Sequence, residues 1–147
     1  LYLICTGNKF SQGEEDKLSK LHIKNKTLQI NASDKELSEL YTRASLFVFP
    51  SLYEGFGIPI LEAYACHCPI AISNTSCFPE IAGDAAIYFD PYSVKDIANT
   101  IEAIIYNPQK ANELIQKGIK RLELYSWEKT VVETEETYKK AIQGYNF

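Results

Sequence analysis

Hydrophobic and polar positions alternate between two periods along the chain. Residues 1–6, LYLICT, form an apolar run closed by Gly7, which reads as a strand entering a loop. The polar stretch beyond it carries Leu18, Leu21 and Ile23 at helical spacing, with His22 as a surface position of that amphipathic segment. TLQIN (27–31) predicts a short strand. Ser33 or Asp34 caps a helix with Leu37, Leu40, Tyr41 and Ala44 on one face, and Ser33 with Glu36 gives a capping-box pattern. LFVFP (46–50) is a continuous apolar run ended by proline, as expected of a central parallel strand buried on both faces.

The same unit then repeats. A glycine-containing loop leads to a helix from about Pro59 to Cys66, and PIAIS (69–73) predicts the next strand. PEIAG (79–83) reads as a short helical turn and AAIYF (85–89) as a further strand. From Ser93 the pattern is purely helical, with Val94, Ile97, Ile101, Ile104 and Ile105 on one stripe. A second helix is opened by Asn107-Pro108 and a third by Ser126-Trp127. The expected fold is an α/β, Rossmann-like three-layer domain over residues 1–147: a parallel sheet with helices on both faces, ending in three consecutive helices. Such sheets bind ligands outside the carboxyl ends of their strands. Chemistry is therefore expected in the loops after Thr6, Ile30, Pro50, Ser73 and Phe89.

Composition narrows the classes. The 147 residues are 46% hydrophobic and 23% charged, the balance of a globular chain rather than a disordered one. This length can bury roughly two-thirds of the surface that the unfolded chain exposes. The net charge of −4 comes with no basic cluster, which argues against a nucleic-acid partner. No run approaches the roughly 20 apolar residues of a membrane span, and the N-terminus lacks the features of a signal peptide. The four cysteines, Cys5, Cys66, Cys68 and Cys77, read as reduced, in a cytoplasmic protein. The Cys66-His67-Cys68 triplet has no second pair at zinc-finger spacing and reads as a helix end rather than a metal site. Methionine is absent and the chain opens in mid-strand, so a fragment of a longer protein is expected.

The loop after the strand at 46–50 carries the candidate chemistry: Ser51-Leu52-Tyr53-Glu54-Gly55-Phe56-Gly57-Ile58-Pro59-Ile60-Leu61-Glu62. Gly55 and Gly57 permit a tight turn and close approach of a ligand, and Pro59 pre-sets the first helical turn. A helix N-terminus aimed at the strand ends suits a phosphate or diphosphate, because its N–H groups and positive dipole end need no side chain to make the site. Glu62 in the first turns of that helix can accept two hydrogen bonds from a vicinal diol such as a ribose. Glu54, at the strand end, can hold hydroxyls of a sugar beyond the phosphates. Spacing alone proves nothing, since Glu128 and Glu136 stand equally far apart on a terminal helix. The context of buried strand, Pro-Ser, Glu, Gly-x-Gly, Pro and second Glu is what raises the signal.

Those residues resemble a known family. PSLYEGFGIPILEAYACHCPIAISNTSCFPEIAGDAAIYFDP is similar to the donor-binding region of retaining glycosyltransferases of the GT-B fold, the group called glycosyltransferase family 4 or glycosyl transferases group 1. The likeness extends through LSELYTRASLFVFPS upstream and SVKDIANTIEAI and SWEKTVVETEETYKKAI downstream. It implies the C-terminal half of a two-domain enzyme that binds a nucleoside-diphosphate sugar, UDP- or GDP-linked more than ADP-linked, and transfers the sugar with retention of configuration. Glu54 falls on the first glutamate of the family's Glu-x7-Glu motif, which contacts the donor sugar, and Glu62 on the second, which binds the ribose. The backbone of Gly55, Phe56, Gly57 and Ile58 faces sugar and diphosphate, and the base lies near Ile30 and Asn31. Neither a metal nor a separate cofactor is implied.

The departures matter too. His67 and Asn31 stand where many members have glycine. The family's Arg and Lys that clamp the diphosphate fall upstream of Leu1; Lys9 can approach phosphates or be an exposed loop lysine. The implied partners are a missing N-terminal acceptor domain and an acceptor glycan or lipid-linked sugar, with the full-length protein at the inner face of a membrane. The helix over 126–144, with Trp127, Val131, Thr134 and Tyr138 in a stripe, is expected to cross to that missing half, or to mediate self-association without it. The isolated chain is expected to be inactive. An alternative is a non-catalytic sugar-nucleotide-binding or assembly module, and a redox-dinucleotide domain is disfavoured because TGNKF lacks Gly-x-Gly-x-x-Gly.

Overall fold

A computed structural model describes residues 1–144; the last three residues of the expected domain range lie outside the described residues. The element order is β1 (Leu3–Thr6), α1 (Gln12–Lys20), β2 (Thr27–Ile30), α2 (Asp34–Arg43), β3 (Phe47–Phe49), α3 (Ile58–Ala65), β4 (Ile70–Ser73), α4 (Phe78–Ala82), β5 (Ile87–Phe89), α5 (Val94–Ile105), α6 (Pro108–Leu122) and α7 (Trp127–Gly144). All strand pairings are parallel, and they form two hydrogen-bonded sheets, β1-β2 and β3-β4-β5, rather than the one expected. The chain correspondingly divides into two compact units, Leu1–Arg43 and a second that starts at Ala44.

In the first unit, β1 and β2 pair from Leu3 opposite Thr27 to Thr6 opposite Ile30. Both helices open on capping boxes. Ser11 and Glu14 close the start of α1, with the Glu14 carboxylate accepting from Ser11 N and Oγ, each at 2.7 Å. Ser33 and Glu36 do the same for α2, at 2.8 and 2.6 Å. These charge-assisted bonds hold the Glu14 and Glu36 carboxyls below their ordinary range. Two readings are corrected here. Helix α1 stops at Lys20, because Leu21 caps it and His22 turns into the left-handed region at φ 56°. His22 and Ile23 are therefore outside the helix, followed by a single 3₁₀ turn at 24–26. Helix α2 ends at Arg43, so Ala44 is not on its apolar face.

In the second unit the middle strand is β4, not β3. Ile70, Ala71, Ile72 and Ser73 are all fully buried, whereas β3 lies at the sheet edge and is half-buried. Periodicity cannot separate the two, since both are short unbroken apolar runs. Ala71, Phe89 of β5, Ile104 of α5 and Leu114 of α6 form one core cluster, with Val48, Ile87, Ile97 and Ala111 packed against it. Phe47 and Phe49 alternate to the opposite face. There Phe49 meets Phe78 of α4, the ring centroids 5.2 Å apart. Helices thus cover both faces. Each fully buried leucine, isoleucine or phenylalanine of this core stabilises the fold by about 1.5–3 kcal/mol.

Helix α6 also packs on α3, and the approach is set by one glycine. A Cβ on Gly118 would lie 2.4 Å from Tyr64 Cδ1, on a ring that is almost wholly buried. The end of α6 reaches α4 as well: Arg121 Nε donates to Ile81 O at 2.8 Å and its guanidinium also meets Glu80 O. Cationic donors on the last carbonyls of a helix are favoured by its dipole. Helix α7 stands with its apolar stripe in solvent, Trp127 being 78% and Tyr138 66% exposed. No described helix is long and apolar enough to cross a membrane.

Alanine at Gly118 would gain about 1 kcal/mol of helix propensity, but a methyl group 2.4 Å from the buried Tyr64 ring lies in the upper part of the overpacking range, about 2–3 kcal/mol. Gly118→Ala is therefore expected to lower stability by about 1–2 kcal/mol in urea denaturation. An unchanged or higher midpoint would show that α3 and α6 are not held at this distance.

Candidate functional site

The carboxyl ends of β3 and β4 deliver two loops side by side. Phe49 pairs opposite Ile72, and the chain leaves β3 at Pro50 and β4 at Asn74. The first loop runs from Ser51 to Gly57 and feeds α3. Gly57 is the N-cap residue of α3, with φ 96° and ψ 48°, a left-handed geometry that costs a side chain dearly. Space is tight as well, since a Cβ there would lie 3.1 Å from Ile60 and 3.2 Å from Phe78 and those side chains would have to give way. Gly55 differs from the reading above. It needs no left-handed backbone, and a Cβ there would meet nothing within 4 Å.

The start of α3 is chemically distinct from the other long helices. Side-chain oxygens of Ser11, Ser33, Ser93, Asn107 and Ser126 accept from the first-turn N–H groups of α1, α2, α5, α6 and α7. Helix α3 opens on Gly57 with no side-chain cap and with Pro59 in its first turn. Ile60 N donates to Gly57 O at 2.9 Å.

Glu54 is half-buried, and Ser51 Oγ donates to its Oε1 at 2.9 Å, which orients the carboxylate. Glu62 is the fifth residue of α3 and is exposed. Phe56 and Ile58 are exposed in the loop and at the helix start. The Phe56 ring stands edge-on to Tyr125 at 5.7 Å, a contact that ties the loop to the segment after α6. The structure therefore brings Glu54, Gly55, Phe56, Gly57, Ile58 and Glu62 together on one loop and helix. Ile30 and Asn31 belong to the other unit: Ile30 ends β2 half-buried, its carbonyl accepting from Gly7 N at 3.1 Å, and Asn31 is exposed. Lys9 is exposed between β1 and α1.

The second loop is the one after Ser73, expected from the strand order to carry chemistry, but none of its residues was given a role. Thr75 Oγ1 donates to Ser51 O at 3.5 Å, Ser76 Oγ to Glu54 O at 2.8 Å, and Cys77 Sγ to Phe56 O at 3.1 Å. These pairings span more than twenty residues and leave no trace in local spacing. The signals in the sequence were its place at a strand's carboxyl end and the polar residues ahead of Phe78.

Helix α3 ends in a Schellman turn: His67 N donates to Tyr64 O at 3.0 Å and Cys68 N to Ala63 O at 2.9 Å. His67 sits in the left-handed position at φ 55° that glycine usually takes. The helix end survives the substitution at the cost of backbone strain. Cys68 is buried beside it, and burial pushes its thiol up to about 12. The Cys66-His67-Cys68 triplet thus serves as the turn between α3 and β4.

A glycine-started helix facing the strand ends of a parallel sheet, with a carboxylate before it and another within it, is the arrangement of a nucleotide-type α/β domain. The chain belongs to the glycosyl transferases group 1 family, whose description matches residues 1–121. It is 38% identical over 106 residues to the O-antigen chain mannosyltransferase B of Escherichia coli, covering 72% of this chain and 28% of that protein's length. A solved C-terminal domain of a glycosyl transferase group 1 family protein from Francisella tularensis is 25% identical, with a TM-score of 0.68, covering 77% of this chain and 60% of that one. The Anabaena protein Alr3699/HepE, solved in complex with UDP and glucose, shares the fold at a TM-score of 0.81 and 19% identity, covering 94% of this chain and 40% of that one. The fold is that of GT-B glycosyltransferases.

Relief of the left-handed strain at residue 67 is expected to make His67→Gly more stable by about 1 kcal/mol, or about 3 °C in thermal unfolding. A lower melting temperature would mean that the imidazole contributes more than the backbone loses.

Proposed function

We propose that this chain is the donor-binding half of a glycosyltransferase, holding a nucleoside-diphosphate sugar at the loop 54–58 and the start of α3. The observation that carries this reading is the uncapped N-terminus of α3. Among the described residues, it alone of the helices of eight residues or more opens without a side-chain acceptor. Pro59 has no N–H and Ile60 N is turned to Gly57 O, so the helix start offers the diphosphate the Ile58 N–H and the positive end of the dipole. Glu62, one turn further on, takes the ribose hydroxyls as a bidentate acceptor. Glu54, oriented by Ser51, takes hydroxyls of the sugar and stabilises positive charge that develops near the anomeric carbon. The family match and the UDP and glucose bound in the Anabaena relative support the ligand class.

Transfer in this reading proceeds with retention, and the chemistry is mostly positional and electrostatic: the departing diphosphate is held by backbone donors while the sugar is held at its hydroxyls. The acceptor, a glycan or lipid-linked sugar, is bound by sequence outside this chain, which spans 28% of the length of its mannosyltransferase relative. The chain by itself is then a binding unit with little turnover.

Titration with UDP, GDP, ADP and NAD, followed by amide NMR, tests the reading. Shifts centred on residues 54–62 with a nucleoside diphosphate, and none there with NAD, are expected; shifts elsewhere would move the site. Glu62→Ala is expected to weaken nucleotide binding by about 1.5–3 kcal/mol, the scale of hydrogen bonds to a charged group. Unchanged calorimetric affinity would remove Glu62 from the ribose.

A further inference from the structure

Ser76 is poised on both backbone groups of Glu54. Its hydroxyl donates to Glu54 O at 2.8 Å and accepts from Glu54 N at 3.3 Å, across 22 residues of sequence. One side chain thereby satisfies the donor and the acceptor of a single residue in an exposed loop. Cys77 adds a thiol contact to Glu54 O at 3.3 Å and to Phe56 O at 3.1 Å, and Thr75 holds Ser51, the residue that orients the Glu54 carboxylate. The bracing loop is itself rigidly mounted. It follows the fully buried β4, and Asn74 N is bonded to Phe89 O of β5 at 2.9 Å.

Ser76 also has φ 56°, a left-handed conformation rare for a residue with a side chain. Such strain persists only where surrounding structure over-determines it. Glycine would relieve it and would lose the hydroxyl. Serine keeps the strain and gains the brace.

We propose that Ser76, with Cys77 beside it, is a positioning residue for the donor sugar: it fixes the backbone of Glu54 and so the reach of the Glu54 carboxylate. The proposal rests on Glu54 being the sugar contact. Ser76 touches no ligand in this scheme and acts only through Glu54. Its loss therefore impairs recognition of the sugar and spares recognition of the nucleotide.

Ser76→Gly is the decisive variant, because it removes the hydroxyl while relieving the backbone strain, so the fold is retained. In the unliganded chain, amide hydrogen exchange at Glu54 is expected to accelerate about tenfold, the worth of one hydrogen bond. An unchanged rate would overturn the brace whatever the ligand does. Calorimetry then compares UDP with UDP-glucose, and GDP with GDP-mannose, in the parent chain, Ser76→Gly, Glu54→Gln and the double variant. The expected result is that Ser76→Gly erodes the extra affinity given by the sugar by at least about threefold. It leaves the bare diphosphate unaffected and adds nothing in the Glu54→Gln background. A merely structural role would weaken both ligands alike and add to Glu54→Gln, overturning the proposal. If Glu54→Gln itself leaves the sugar's contribution intact, the reading of Glu54 fails, whereas sensitivity to Glu54→Gln without sensitivity to Ser76→Gly overturns only the inference about Ser76.

Discussion

The second unit depends on the complete burial of one four-residue strand. Ile70, Ala71, Ile72 and Ser73 expose nothing to water. A backbone so enclosed must find all its partners in protein, because an unpaired buried amide or carbonyl costs roughly as much as a lost hydrogen bond. Strands β3 and β5 supply those partners on either side, in parallel register. Parallel pairing in turn demands crossover connections, which place helices on the faces and close the core. The arrangement of Phe49 against Phe78 on one face, and of Ala71 with Ile104 and Leu114 on the other, follows from that demand.

The same constraint builds the site. Neighbouring parallel strands lie about 4.8 Å apart, and β3 and β4 end nearly level, so the loops beyond them emerge within hydrogen-bonding reach. The carboxylate-bearing loop contains Gly55 and Gly57. The loop beside it is stiffened by Thr75, Ser76 and Cys77. In the function proposed, chemistry is carried on the first and geometry on the second. Behind both, Arg121 and Tyr125 tie the end of α6 to α4 and, through the Phe56 ring, back to the loop. Similarity to the glycosyl transferases group 1 family is thus similarity in a packed frame as much as in a motif.

Much of this was legible in the sequence, for identifiable reasons. Local rules wrote themselves directly: the Ser33–Glu36 box, the Pro59 start of α3 and the Asn107-Pro108 start of α6 are all where the residues imply them. The loop from Glu54 to Glu62 was legible because turn, helix start and carboxylates are contiguous. What was hidden is non-local. The sequence could not say that β4 rather than β3 is flanked on both sides, since LFVFP and PIAIS are equally apolar. Nor could it show that α1 stops before His22, where a left-handed residue overrides helical spacing, or that Ser76 reaches Glu54.

Parallel strands carry a kinetic consequence. Each pairing in this chain joins segments separated by an intervening helix, so no hairpin can seed the sheet. Loop-closure entropy has to be met before the ladder bonds reward it, and topologies of this kind fold more slowly than those rich in local contacts. Helices such as α6, capped by Asn107 immediately before it in sequence, can form early, while β4 waits for partners on both sides. Until then its apolar residues are open to other chains, a hazard for yield that belongs to the unfolded molecule rather than to the finished fold.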